Sequence, residues 1–225
     1  MKTQAIIPTA GLGTRMRSDV TKFLMELEGD PIIVLTLKAF QESSLVESVI
    51  LVVQEDHREK MKDLISEYSL TKVKEIVVGG ETRFDSVHNG LAKIDADTDV
   101  IVVHDGARPL IDASTINKAI KQCEQSEAVV VAVPVKSTIK RVNKENLLVE
   151  ETLNRNELWE VQTPQVFKRE ILVKAHENAQ GIAATDDAML VEQLGIKVEI
   201  LEGSYKNIKI TTQEDLKIAR VFLQS

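Results

Sequence analysis

Cysteine occurs once in the 225 residues, as Cys123. A lone thiol excludes an internal disulfide and a multi-cysteine zinc site, and it is consistent with a reducing cytoplasm. Aromatic residues are scarce, with a single tryptophan. No apolar run approaches the ~20 residues that a membrane span requires. Basic residues are outnumbered, 28 Lys+Arg against 35 Asp+Glu for a net charge of −7. That balance excludes a nucleic-acid binder working through a globally basic surface, so any anionic ligand must be held by locally placed cations. The segment Met1–Gln4 runs straight into a strand-like stretch without the apolar core and cleavage site of a signal peptide, and the expectation is a cytoplasmic protein. There is no internal repeat, low-complexity tract or Gly/Ser linker, and one domain over 1–225 is expected. His57, His88 and His176 show no metal-ligand spacing to each other or to Cys123 and are expected to face solvent. No Gly-x-Ser-x-Gly elbow offers a nucleophile.

What is present is a recurrence of short β-branched runs: Gln4–Pro8, Val49–Val53, Lys74–Val78, Val100–His104, Ala128–Val135 and Lys197–Leu201. Near-continuous Ile and Val are the mark of strands buried on both faces. Between the runs lie stretches of helical spacing, one with Ile32, Leu35, Ala39 and Phe40 on a common face, another with Ile116, Ala119, Ile120 and Cys123. Pro31 suits a first helical turn, and Ser114 or Asp112 can cap the later helix. Strand alternating with helix implies an α/β fold with a mainly parallel sheet, whose ligands sit beyond the carboxyl ends of the strands. The alternation breaks once. Thr138–Val142 and Leu147–Thr152 read as a hairpin around a polar turn, and since an isolated hairpin is marginal in water, the arm over 136–157 is expected to pack on a second subunit.

Three polar clusters follow the first, third and fourth strands. Thr9-Ala10-Gly11-Leu12-Gly13-Thr14-Arg15-Met16 puts glycines and a cation directly after strand one, with Lys22 close behind. Such a loop either cradles phosphate oxygens or is only a tight turn. It is no Rossmann fingerprint, because Met16 stands where the third glycine belongs and Glu26 and Glu28 precede a helix; a Walker A sequence is absent too. Gly79-Gly80-Glu81-Thr82-Arg83-Phe84-Asp85-Ser86 is either a turn before a helix capped by Thr82 or Asp85, or a loop that reads a nucleobase edge. In His104-Asp105-Gly106-Ala107-Arg108, Asp105 is placed to serve a metal, since Mg²⁺ takes one or two carboxylates plus phosphate oxygens; an Asp–Arg turn salt bridge is the plainer reading. His104 reads as a packed strand residue. Asp186-Asp187 is a metal pair or the first turn of a helix capped by Thr185, and Lys209 lies in an alternating strand-like Asn-Ile-Lys-Ile-Thr stretch, pointing outward or toward phosphate.

Taken in order, Ala10-Gly11-x-Gly13-x-Arg15-Met16, Lys22, Gly79-Gly80-x-x-Arg83-x-Asp85-Ser86-Val87 and His104-Asp105-x-Ala107-Arg108-Pro109 resemble the 2-C-methyl-D-erythritol 4-phosphate cytidylyltransferases. The resemblance continues through Thr138-x-Lys140, Thr163-Pro164-Gln165, Thr185-Asp186-Asp187-Ala188 and Asn207-Ile208-Lys209-Ile210-Thr211, over nearly the whole chain. It implies a Rossmann-like nucleotidyltransferase sheet similar to the glycosyltransferase-A fold, with the hairpin arm making a homodimer. It implies transfer of CMP from CTP to methylerythritol phosphate with release of pyrophosphate, assisted by Mg²⁺ or another divalent cation, with Asp105 near the metal. By the same resemblance, Arg15 and Lys22 are catalytic. Thr9, Ala10, Gly11, Gly13, Gly80, Glu81 and Ser86 line the CTP site. Asp105, Arg108, Thr138, Arg155, Thr163, Thr185 and Lys209 bind the polyol phosphate, Thr138 and Arg155 from the neighbouring subunit. Three residues depart from the family pattern: Thr9 for the usual Ala, Thr21 for the Pro before Lys22, and Glu81 where Asp is common.

The rival from the same fold is a ribitol-5-phosphate cytidylyltransferase, whose substrate carries the same charge. A CTP-binding regulator that does not turn its ligand over is the rival from another class, and the presence of Arg15, Lys22 and Asp105 together speaks against it. No nucleic-acid or membrane partner is expected.

Overall fold

The structure is a computed structural model that describes residues 1–9, 22–179 and 184–224, with Lys22 described in its backbone only. Its first strand, β1 (Thr3–Pro8), shows how the hydrophobic pattern sets the layers. Ala5 and Ile7 pack into one core and Ile6 into another, because successive side chains leave opposite faces of a strand and both faces are covered. After a short ladder of β2 (Glu26–Leu27) with β3 (Asp30–Pro31) comes helix α1 (Ile32–Glu42), which Pro31 directly precedes. There follow β4 (Ser48–Val53), α2 (Arg58–Glu67), β5 (Val73–Val78), α3 (Arg83–Leu91), β6 (Val100–Val103) and α4 (Ala113–Gln125). Asp112 caps α4 by accepting from the Thr115 N–H at 2.7 Å. Next are β7 (Ala128–Pro134), the arm strands β8 (Lys140–Val142) and β9 (Val149–Thr152), and β10 (Trp159–Lys168). Helices α5 (Arg169–Glu177) and α6 (Asp187–Gln193), strand β11 (Glu199–Glu202) and helix α7 (Gln213–Leu223) complete the order.

Seven strands form the main sheet in the order β11-β7-β10-β6-β1-β4-β5. Every neighbouring pair is parallel except those of β10, which runs antiparallel to both β6 and β7. On one face α1 and α4 bury Ile33, Val34, Leu37, Phe40, Ile116, Ala119, Ile120 and Cys123 against the sheet. On the other, α3, α5 and α6 bring Val87, Leu172, Ala175, Leu190 and Val191. A smaller cluster of Leu27, Ile32, Ile210, Leu216 and Ala219 seats α7 against the β2–β3 ladder and α1. The six strands read from β-branched runs are all present; the tenth strand is not among them. Pro164 sits in its middle and gives the ladder no donor. The structure accommodates it at a register shift between Val161 and Gln165, so the missing N–H falls in the gap.

Two expectations require correction. Residues 207–211 form no strand. They lie as an irregular segment over the β6 turn, with the Ile210 N–H donating to the Ala107 carbonyl at 2.9 Å and Arg108 Nη1 to the Asn207 carbonyl at 2.7 Å. His176 does not face solvent; it is buried and its Nε2 lies 3.0 Å from Asp187 Oδ1. It shares the buried face of α5 with Leu172 and Ala175, and burial there demands a polar partner, which α6 supplies. His88 is exposed and His57 half-buried, its ring edge-on to Phe23.

Candidate active site

The carboxyl ends of β1, β5 and β6 converge as parallel architecture demands. Thr9 follows β1 and is fixed twice to β4, its N–H and its hydroxyl both donating to the Val52 carbonyl at 2.8 Å. Gly106 lies against it, where an added Cβ would come within 2.6 Å of Thr9 Cγ2, so a side chain there is excluded by contact. Ala10, Gly11, Gly13, Arg15 and Thr21 lie outside the described residues. Lys22 opens a single helical turn, Lys22–Leu24, whose Phe23 is buried.

After β5, the Gly79–Thr82 loop leads into α3, and both sequence candidates for its cap act. Thr82 Oγ1 accepts from the Asp85 N–H at 3.1 Å, and Asp85 Oδ2 accepts from the Thr82 N–H at 2.9 Å. Ser86 is buried and engaged within the loop, donating to the Thr82 carbonyl at 2.9 Å and accepting from the Gly80 N–H at 3.3 Å. Ser86 thereby holds the Gly80 backbone in place. Gly80 itself leaves no room for a Cβ, which would stand 2.2 Å from that of Asp85. Glu81 is exposed at the loop tip.

After β6, Asp105 is buried and surrounded by cations. Lys209 Nζ is 2.7 Å from its Oδ2, Arg108 Nε 3.7 Å from the same oxygen, and Arg83 Nε 3.2 Å from Oδ1. Burial alone would raise its carboxyl, but Arg83, Lys209 and Arg108 outweigh it and hold the group well below the usual carboxylate range. A backbone-to-side-chain chain fixes the turn. The Asp105 N–H donates to Thr163 Oγ1 at 3.0 Å, that hydroxyl pairs with His104 Nδ1 at 3.0 Å, and His104 Nε2 pairs with the Arg108 carbonyl at 3.2 Å. A carbonyl only accepts, so His104 carries its proton on Nε2 and takes the Thr163 O–H on Nδ1. Among the sequence candidates, Asp105, Arg108, Thr163 and Lys209 are thus brought together. Arg83, singled out in the sequence only as part of a motif, joins them.

Full burial pushes the His104 imidazole down to about 4 from an ordinary value near 6.5. The native state therefore refuses a proton that the unfolded chain accepts, so stability falls as pH falls through that window. The expected loss is about 3 kcal/mol in all. The Asp105 charge acts in the same sense at still lower pH, since stability from a lowered carboxyl is lost as acid protonates it. Urea midpoints measured between pH 7 and pH 4 should decline from about pH 6.5. A flat profile there would contradict a buried neutral His104.

Thr185, Thr138 and Arg155 are placed elsewhere. Thr185 is exposed one residue before the cap of α6; the cap is Asp186, which accepts from the Met189 N–H at 3.0 Å. Asp186 also accepts from Gln165 Nε2 at 2.7 Å, while Asp187 pairs with Arg83 and His176, so the two carboxylates diverge rather than forming a metal pair. Thr138 and Arg155 are exposed at the base of the arm, lining a shallow cavity with Thr152, Leu153, Asn154 and Asn156. No hydrogen bond or ion pair among the described residues ties them to Asp105.

Loops with close backbone approach and a cation-rich cluster beyond the strand ends suit a ligand rich in phosphate, and solved structures of similar fold bear on which one. One from Anaerococcus prevotii, a 4-diphosphocytidyl-2C-methyl-D-erythritol synthase, superposes with a TM-score of 0.87 at 31% identity, covering 100% of this chain and 99% of that one. A 2-C-methyl-D-erythritol 4-phosphate cytidylyltransferase from Thermus thermophilus gives a TM-score of 0.82 at 28% identity, covering both chains fully. The class is therefore that of the nucleotidyltransferases. The family model for 2-C-methyl-D-erythritol 4-phosphate cytidylyltransferase matches residues 3–225, and the chain belongs to that family. Curated relatives of that name include one from Alkaliphilus oremlandii, 44% identical over 100% of this chain and 96% of its own. Another, from Caldanaerobacter subterraneus subsp. tengcongensis, is 41% identical over the full length of both.

Proposed function

We propose that this cytidylyltransferase moves CMP from CTP to 2-C-methyl-D-erythritol 4-phosphate, giving 4-diphosphocytidyl-2-C-methyl-D-erythritol and pyrophosphate in isoprenoid precursor synthesis. The observation that carries the reading is the cluster at Asp105. Arg83, Arg108 and Lys209 are ion-paired with Asp105 and Asp187, and the Glu160 charge also acts on Arg108. Lys209 is the most exposed of the three cations, its side chain 40% exposed against 26% for Arg83 and 9% for Arg108, and so is presented where a phosphate would arrive. Asp105, acceptor-only when ionised, suits the hydroxyls of a polyol.

A phosphate oxygen of the polyol substrate attacks the α-phosphorus of CTP in line, the bond to the β-phosphate oxygen breaks, and pyrophosphate departs with its electrons. The chain's task is positioning and charge neutralisation. Arg15 and Lys22 serve the triphosphate and the α-phosphoryl group; Gly80, Glu81 and Ser86 shape the cytosine side. A divalent cation such as Mg²⁺ would lower the charge of the phosphates it bridges. Among the described residues no three His, Cys, Asp or Glu side chains converge as a ready-made cage. Both oxygens of Asp105, the carboxylate expected near the metal, face Arg83, Lys209 and Arg108, so such a cation would take most of its ligands from phosphate and water.

The arm supports a homodimer. Leu147, Leu148 and Val149 are exposed, Leu147 at 78%, and such apolar residues on a two-stranded arm call for a partner surface. A partner's arm would bring Thr138 and Arg155 to the polyol phosphate.

Pyrophosphate release from CTP with Mg²⁺ tests the reading. Methylerythritol phosphate is expected to be strongly preferred over ribitol phosphate. The reverse preference would keep the fold and chemistry but replace the substrate. Tight CTP binding with neither release would point to a regulator and overturn the catalytic reading.

A further inference from the structure

We infer that Arg83 is a positioning residue that holds one oxygen of Asp105 away from Arg108 and Lys209, and so keeps those cations available to the phosphate of the polyol substrate. The inference rests on the proposed role of Asp105 in binding that substrate.

Arg83 is the first residue of α3, directly after the loop assigned to cytosine, and its guanidinium spans two carboxylates. Nε stands 3.2 Å from Asp105 Oδ1 and Nη1 2.8 Å from Asp187 Oδ2. Asp187 is almost wholly buried at the start of α6, and its other oxygen is held 3.0 Å from His176 Nε2 on α5. The His176 ring stacks in turn on Phe84, the residue next to Arg83, with centroids 4.8 Å apart and planes within 9°. The contacts close on themselves, from Arg83 to Asp187, to His176, to Phe84 and back to the chain at Arg83. A guanidinium anchored in this way has little freedom, and its planar fork fixes the direction of what it binds.

The two oxygens of Asp105 are divided between sides. Oδ2 takes both Lys209 and Arg108, while Oδ1 takes Arg83. Without Arg83 the carboxylate is free to rotate and pair through both oxygens with Arg108, whose Nε is buried without a hydrogen-bond partner, or with Lys209. Either closure draws a cation more tightly onto the carboxylate and away from the substrate phosphate, and withdraws the acceptor that faces its hydroxyls. An ion pair serving stability alone would weaken both substrates alike on removal. A positioning pair weakens one.

The test is steady-state kinetics on Arg83→Gln, Asp187→Asn, Asp105→Asn and the double variant Arg83→Gln/Asp105→Asn. Arg83→Gln is expected to raise KM for methylerythritol phosphate about 10-fold or more while KM for CTP stays within about 2-fold. Asp187→Asn loosens the anchor and should shift the same KM in the same direction by less. The double variant should be no worse than Asp105→Asn, since Arg83 acts through that carboxylate. Arg83→Lys should recover only part of the loss, because an ammonium lacks the fork that meets both carboxylates. If Arg83→Gln fails to fold, Asp187→Asn carries the same comparison. An unchanged KM for methylerythritol phosphate in Asp105→Asn would remove the reading of the site, and this inference with it. A shifted KM in Asp105→Asn together with equal effects on both substrates in the Arg83 and Asp187 variants would overturn the positioning role alone.

Discussion

Lys22→Ala is expected to lower turnover about 100-fold or more while CTP binding weakens only a few-fold. Charge builds on the α-phosphoryl group as the new bond forms, so a cation there, the place proposed for Lys22, contributes more to the transition state than to the bound nucleotide. The backbone at Lys22 is set by the turn it opens, with Phe23 buried behind it, so removing the side chain leaves the scaffold in place. Stopped-flow or equilibrium CTP binding beside kcat separates the two effects; loss of both in equal measure would reduce Lys22 to a binding residue. The same variant probes the arm. Mixed with Arg155→Ala subunits, it should regain activity, because a dimer that exchanges Arg155 contains one site with both residues intact. Failure to regain activity in verified mixed dimers would place both residues in one subunit's site.

Asp105→Ala is expected to cost about 3–5 kcal/mol of stability, the range for stripping one partner from a buried ion pair. For a chain of this length that is roughly 10 °C of melting temperature. Arg83 keeps Asp187, but Arg108 keeps only the Asn207 carbonyl for its guanidinium while remaining buried. Asp105→Asn retains the shape and one acceptor oxygen and should cost less. Thermal melts of the two variants decide the matter: a fall of less than about 3 °C in Asp105→Ala would mean that water or a rotated Arg108 relieves the stranded charge.

Lys22 and Asp105 are legible in the sequence in a way that Arg83 is not. Lys22 and Asp105 both follow strands that could be recognised from uninterrupted Ile and Val, so their placement beyond strand ends came with the fold. Arg83 lay in a motif whose local reading, a capped helix start, was correct and complete in itself, as the paired Thr82 and Asp85 bonds show. Nothing local announces that its guanidinium meets Asp187, which belongs to a helix on the far side of the chain order. His176 reads as solvent-facing in the sequence for the same reason. Its burial depends on α6 packing against α5, and its imidazole on a carboxylate that only that packing supplies.

The sequence by itself determined the α/β class, the six strands with unbroken apolar runs, the candidate helix caps (Thr82 or Asp85, Ser114 or Asp112), and the positions of the polar loops after the strands. It did so because burial on both faces and cap chemistry are written in adjacent residues. Only the tertiary structure decided the antiparallel β10 in mid-sheet, where Pro164 masks the strand pattern, and the irregular path of 207–211 over the β6 turn. It alone also decided the gathering of Arg83, Arg108 and Lys209 about Asp105. A charge reads as solvated until its partner is known, and ion-pair partners here come from elements joined by packing rather than by sequence.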